Sequence, residues 1–255
     1  MQLHFQVQGN GHPLIILHGF LGSLDNWRTV GRRFSQAFRV FTVDLRNHGG
    51  SPHSDRMNYE LMANDLLDFI TQQKLSSVYI LGHSMGGKVA MQLAIDDSQS
   101  VAKLIVVDIA PRAYDPSHRP LLNALRSLDL GNYKRFAEVD EALAPLIPPV
   151  AARQFLLKNL TRDRDRRLKW KIDLEAIARN YDDLAKEIAP RGYFIKPTLF
   201  IRGGRSNYIT ESDIPLIQRI FPAAHVETIG KAGHWVHADA PEEFLQVVTT
   251  FLAGN

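Results

Sequence analysis

The stretch "SVYILGHSMGGKVAMQLAIDD" (77–97) changes its period half-way along. Residues 77–83 are a short apolar run of the kind shown by strands buried on both faces, whereas 88–97 place apolar residues at helical intervals. Between them stands Gly82-His83-Ser84-Met85-Gly86, a G-x-S-x-G corner in the strand-to-helix context this motif requires. A corner that sharp pushes the serine backbone into a strained conformation and leaves no room for side chains at the flanking positions. It also exposes the Ser84 hydroxyl at a helix N-terminus. The plain alternative is a structural strand–turn–helix corner with no chemistry.

More units of the same type flank this one. Strand-length apolar runs recur at "PLIILHG" (13–19), "VFTVDLR" (40–46), "KLIVVDIAP" (103–111), "PTLFIRGG" (197–204) and "HVETIG" (225–230). Helix-period segments lie between them, such as "YELMANDLLDFITQQ" (59–73), and "PEEFLQVVTTFL" (241–252) closes the chain with Pro241 in the first turn. The alternation predicts an α/β fold with a doubly wound, mainly parallel sheet. The opening "LHFQVQG" is expected to form an antiparallel edge hairpin with the second strand. From Pro111 to Lys196 the chain runs 85 residues, where a crossover needs only about 30. Four segments there carry helical periodicity, so 112–195 is expected to be a helical cap of about four helices, inserted in a core made of 1–111 and 196–255.

Composition narrows the function classes. Of 255 residues, 45% are hydrophobic and 22% charged, which suits a folded core. A formal charge of +3 is weak support for a nucleic-acid partner. No run approaches the ~18 apolar residues of a membrane span, and the N-terminal residues alternate like a strand rather than like a secretion signal. Zero cysteines exclude disulfides, a thiol nucleophile and Cys-ligated zinc. No nucleic-acid or membrane partner and a cytoplasmic location are therefore expected; oligomeric state is not indicated.

Three further stretches supply partners for Ser84. In "LHGFLGS" (17–23) the turn at His18-Gly19-Phe20 can offer the Phe20 N–H. With the Met85 N–H it would make the two donors that a tetrahedral oxyanion needs. In "GKAGHWVHADAP" (230–241) His234 follows a glycine at the end of the last strand and can reach back to Ser84. His237 is the rival, though one turn further on it is better placed to pack or cap; the two histidines also resemble a metal pair, but no third ligand is near. A third group must hold the imidazole tautomer and balance its charge. After "FIRGG" (200–204), where such an acid would be expected, the chain offers Ser206, a neutral hydroxyl. One strand earlier "LIVVDIAP" ends in Asp108, facing the crevice at the C-terminal ends of the strands. Asp108 is thus the orienting carboxylate, and Ser206 either a fourth member bonded to Asp108 or His234, or an ordinary turn hydroxyl.

With these motifs in place the chain resembles the α/β-hydrolase fold serine hydrolases, and among them the bacterial YbfF-type esterases. The resemblance rests on "HGFLGSLDNW" (18–27), "VDLRNHGGSP" (43–52), "GHSMGGKVAM" (82–91), "DIAP" (108–111) and "GHWVHADAP" (233–241), spread over nearly the whole chain. It implies hydrolysis of small carboxylic esters, with thioesters as a further class, no cofactor, and the acid on Asp108. The inserted segment is the least distinctive part, so it says little about substrate.

The remaining candidates are weaker. Asp44, Arg46 and His48 in "DLRNHG" (44–49) suit a hydrogen-bonded structural turn. Trp27 and Trp235, with Phe20, could line an apolar acyl pocket or belong to the core. "TRDRDRRLKWK" (161–171), with six basic residues, is a solvated face unless it rims the site, where it would favour an anionic leaving group such as the phosphates of a coenzyme A thioester. Rival functions are a ligand sensor or scaffold with vestigial hydrolysis, and a carbon–carbon bond hydrolase or perhydrolase using the same three groups.

Overall fold

The computed structural model describes residues 1–188 and 192–254. In chain order the first part comprises β1 (Phe5–Gln8), β2 (Pro13–Leu17), α1 (Arg28–Phe34), β3 (Arg39–Val43), α2 (Tyr59–Gln72), β4 (Val78–His83), α3 (Met85–Asp96) and β5 (Val101–Val107). The long connection holds α4 (Arg119–Arg126), α5 (Phe136–Leu143), α6 (Val150–Leu157), β6 (Leu160–Arg162), β7 (Leu168–Trp170), α7 (Leu174–Arg179) and α8 (Tyr181–Ala185). The chain then returns through β8 (Thr198–Gly203), α9 (Ile214–Ile220), β9 (Ala224–Ile229), α10 (Val236–Asp239) and α11 (Pro241–Ala253).

Seven strands form one sheet in the order β1-β3-β2-β4-β5-β8-β9. All neighbours in it run parallel except β1 with β3. Period-two alternation builds two cores, because successive side chains leave opposite faces. Ile15, Leu17, Phe41 and Val106 pack with Leu66 and Phe69 of α2 and Val89 of α3. Leu14, Ile16, Ile105 and Val107 pack on the other face with Phe34 of α1 and Phe244 and Val248 of α11. This is the doubly wound sheet expected from the sequence.

One expectation is corrected. β1 is an antiparallel edge strand, but it pairs with β3, Phe5 opposite Val43, and not with β2. The link between β1 and β2 contains Gly9 and Gly11, both at positive φ. It runs against the turn before β3: a Cβ on Gly9 would sit 2.2 Å from the Ser35 carbonyl oxygen, and one on Gly11 2.9 Å from that of Ala37. The link therefore steps over the end of β3 instead of folding back as a tight turn.

Among the described residues the segment between β5 and β8 contains five α-helices, a short 3-10 turn and a two-stranded hairpin, where about four helices were expected. "DLEAIARNYDDLAKEI" is broken into α7 and α8 at Asn180. That side chain donates to the carbonyls of Asp55 (2.8 Å) and Ala176 (2.7 Å) and accepts from the Met57 N–H (3.1 Å), so it ties the end of α7 to the loop at 55–57. The basic run forms β6, β7 and their turn, where Asp163 accepts the N–H groups of Asp165 and Arg167 and Arg166 takes positive φ. The excursion has a narrow neck: the Ile188 N–H donates to the Pro111 carbonyl (3.0 Å) and the Tyr114 N–H to that of Ala185 (2.8 Å). Residues 189–191 of the expected cap lie outside the described residues.

Candidate active site

Ser84 is the corner between β4 and α3, with φ 52° and ψ −119°. Its N–H donates to the Val107 carbonyl (2.9 Å), which locks the corner to β5. The flanking glycines are obligatory: a Cβ on Gly82 would lie 2.2 Å from the Gly86 carbonyl oxygen, and one on Gly86 2.5 Å from that of His18. At the start of α3 the Met85 N–H has no acceptor among the described residues, and neither has the Phe20 N–H. A first-turn helical N–H is unpaired by geometry, so it is available to an anion. The loop carrying Phe20 is held by His18, which is fully buried. His18 Nδ1 contacts the Gly19 carbonyl (2.8 Å), and since a carbonyl only accepts, that nitrogen carries the proton. Nε2 is then free to accept the Leu45 N–H (3.0 Å). Burial pushes the His18 pKa down, in keeping with this neutral tautomer.

His234 Nδ1 lies 2.8 Å from Asp108 Oδ2. A carboxylate accepts, so Nδ1 is protonated and Nε2 is left with a free lone pair. Asp108 has no solvent exposure and follows β5 with φ 51°. Its Oδ1 accepts the Gly203 N–H (3.0 Å), and its Oδ2 also accepts the Ser206 hydroxyl. Of the two partners open to Ser206 in the sequence, it bonds Asp108. The His234 ring stacks on Tyr208 at 4.0 Å. From the other side His83 Nε2–H donates to the His234 carbonyl (2.9 Å). Burial, followed by the neighbouring His234 and His237, keeps His83 neutral by pulling its pKa well below the ordinary value.

Ser84 and His234 open on the same two cavities. The larger, about 530 Å³, is lined by Tyr59, Lys88, Tyr114, Arg205 and Tyr208 among others. The smaller, about 220 Å³, is mostly apolar, with Leu121, Phe155, Leu156 and Trp235. Phe20 and His118 border both. Ser84 and His234 meet through this shared space and not through a hydrogen bond, a bond that often tightens only around a substrate.

Trp235 therefore stands where an acyl-pocket residue was expected, packed on Phe155 at 5.7 Å. Trp27 does not. It is buried behind the site, stacked on His237 at 4.1 Å, and borders neither cavity that Ser84 reaches. The flat indole and imidazole bury each other. His237 is equally removed from Ser84. The basic run 161–171 lines neither cavity; several of its residues border a separate cleft with Asp44 and His4. Asp44, Arg46 and His48 make a structural network: Asp44 accepts the N–H groups of Leu24 (2.7 Å) and Gly50 (2.8 Å), and Arg46 pairs with Asp65 (2.6 Å). Among the described residues no three His, Asp or Glu side chains converge as a metal site would require, and no helix is long and apolar enough to cross a membrane.

Sequence reasoning passed over His83, His118 and Lys88. Lys88 carried a signal, a charged residue within a helix buried on all sides. His118 carried none, because its place at the site depends on how the excursion folds back.

A family model described as the alpha/beta hydrolase fold matches residues 12–145. The chain belongs to the α/β-hydrolase fold family. Among hydrolases of this fold it is 37% identical to the sn-1-specific diacylglycerol lipase ABHD11 of Mus musculus, over 94% of this chain and 80% of that protein. It is 32% identical to Esterase YbfF of Escherichia coli (strain K12), over 97% and 95% of the two chains. A solved structure described as a marine microorganism esterase superposes with a TM-score of 0.96 at 44% identity, covering 98% of this chain and 99% of the other. The resemblance to YbfF-type esterases drawn from the motifs is thus matched along nearly the whole chain.

Proposed function

We propose that this α/β-hydrolase is a serine esterase acting on small carboxylic esters through an acyl-enzyme. His234 Nε2 takes the Ser84 hydroxyl proton as Oγ attacks the ester carbonyl. The carbonyl oxygen becomes an oxyanion between the amides of Phe20 and Met85. The C–O bond then breaks, and the alcohol leaves with the proton from His234. Water, deprotonated by the same imidazole, attacks the acyl-Ser84 carbonyl, and collapse returns the proton to Oγ and frees the acid. Asp108 balances the transient imidazolium, and Ser206 holds Asp108 in place. Residues 112–195 serve as a cap whose α4 and α6 roof the apolar arm. Thioesters would follow the same route with a thiol as leaving group. A cytoplasmic location belongs to the same reading.

The observation that carries the proposal is the 2.8 Å contact of His234 with a fully buried Asp108, on a ring that shares its cavities with a strained Ser84. Stopped-flow hydrolysis of p-nitrophenyl butyrate should show a burst of one nitrophenolate per chain. Ser84→Ala should lower kcat by roughly 10⁶, as in comparable triads. Stable labelling by a fluorophosphonate, with no turnover of any ester or thioester, would instead mean a ligand sensor.

A further inference from the structure

Lys88 is an ammonium in a place where a cation is costly. It lies one helical turn after Ser84 on α3 and is 1% exposed. Its Nζ donates to the Lys186 carbonyl (2.5 Å) and stands 5.2 Å from the centre of the Tyr59 ring and 4.9 Å from that of Tyr114. Among the described residues no carboxylate pairs with it. An ammonium has three donors, and a buried one without a counter-charge is unfavourable. Yet Lys88 borders the larger Ser84 cavity, together with both tyrosines, Arg112 and Arg205. Arg112 is engaged by Asp213 (2.7 Å), and Asp115 is the acidic side chain on the same wall.

Four residues along a helix advance about 6 Å on nearly the same face, and Lys88 and Ser84 open on one cavity. A small anionic group of a substrate held at Ser84 would there meet a cation and two aromatic rings.

We propose that Lys88 is a specificity-determining residue, which binds a substrate carboxylate a few bonds from the ester carbonyl. This rests on Ser84 being the esterase nucleophile. The carboxylate can belong to the acyl group, as in a hemiester of a four-carbon diacid, or to the alcohol. Burial lowers the Lys88 pKa to about 7, Arg112 pushes the same way and Glu187 opposes it. Facing the same cavity, burial pulls His118 below its ordinary value and pushes Tyr59, Tyr114, Tyr181 and Tyr208 up, while His234, Arg112, Arg205 and Asp115 serve both members of a matched carboxylate and amide pair.

The test compares kcat/KM, by acid release in a pH-stat, within two pairs: ethyl hydrogen succinate against ethyl succinamate, and 3-acetoxypropanoate against 3-acetoxypropanamide. At pH 6.5 the proposal expects the carboxylate to be preferred about tenfold or more in one pair, as a charge-assisted hydrogen bond allows; the pair affected identifies the side of the ester. Lys88→Met should erase that preference, whereas a purely structural tie to Lys186 would lower both members equally. The wild-type preference should also decline as pH rises from 6 to 9, a readout that does not depend on the variant folding. No preference in either pair, or one unchanged by pH, overturns the proposal. Hydrolysis of p-nitrophenyl butyrate without such a preference would sink this inference alone; no hydrolysis of any ester would sink the esterase reading itself.

Discussion

Asp108 Oδ2 serves two donors, His234 Nδ1 and the Ser206 hydroxyl, and the two are not equivalent. Removing the charge turns an amide N–H₂ towards the imidazole and favours the wrong tautomer, so Asp108→Asn should cost about 10⁴ in kcat. Ser206→Ala leaves the carboxylate with Gly203 and His234, and should cost tenfold or less, about one neutral hydrogen bond. Steady-state kinetics on p-nitrophenyl butyrate separates these outcomes; equal losses would mean that Ser206 does more than hold Asp108. His83 acts through the His234 main chain. His83→Phe should lower kcat roughly tenfold with KM unchanged, since one hydrogen bond that aims the base is lost. Much at this scale was legible. β5 and β8 are parallel neighbours, so residues just beyond both ends, Asp108 and Ser206, had to lie side by side. Which atom Ser206 would touch depends on a turn angle that residue order does not specify. Trp27 stayed open between pocket and core for a related reason: an indole suits both equally well, and only its stack on His237 decides.

At the scale of elements, periodicity located the six parallel strands and α2, α3 and α11, because each buries a face or both faces in a repeating register. The partner of β1 was not legible. An edge strand satisfies the same pattern beside either neighbour, and the route of Gly9–His12 over the turn at 35–38 makes the choice. α11 shows a tertiary contribution that no helix pattern reveals. Lys103 of β5 donates from Nζ to the carbonyls of Phe251 (3.2 Å), Leu252 (3.1 Å) and Gly254, filling the helix's unpaired C-terminal acceptors with a cation. Lys103→Met should destabilise the protein by about 2 kcal/mol. A urea melt would show this as a lower midpoint with an unchanged slope. Gly86→Ala is a sharper test of the corner, since the Cβ would strike backbone at His18, which cannot yield as a side chain could. Loss of ester turnover is expected even where far-ultraviolet circular dichroism stays native.

For the molecule as a whole, buried histidines set its response to acid. His48 and His237 are held neutral by burial, each with a pKa lowered to about 3. In the unfolded chain both take up protons below about 6.5. Their stabilising effect is thus complete above 6.5 and is lost as pH falls towards 3, on the order of a few kcal/mol each. Thermal midpoints should drop steeply over that window. His237→Phe, which keeps a ring against Trp27 and removes the unpartnered Nδ1, should make the drop shallower by about one proton. A slope identical to wild type would show that His237 is not among the groups responsible. That a long segment separates β5 from β8 was legible from length alone. Its hairpin and its broken last helix were not, because both answer to contacts with core loops rather than to local pattern.

The closed neck at Pro111–Ile188 has a practical corollary. Because two main-chain bonds already bring the ends of this 76-residue detour together, a transplanted segment from another hydrolase could be spliced in at those points without stretching either strand beside it. Ser84, Asp108 and His234 all sit outside the splice, whereas Leu121, Phe155 and Leu156 travel with it. Chimeras of this kind should trade one selectivity for another while reusing the same reactive groups, and a bare core closed by a short glycine-rich bridge would be the natural starting chassis.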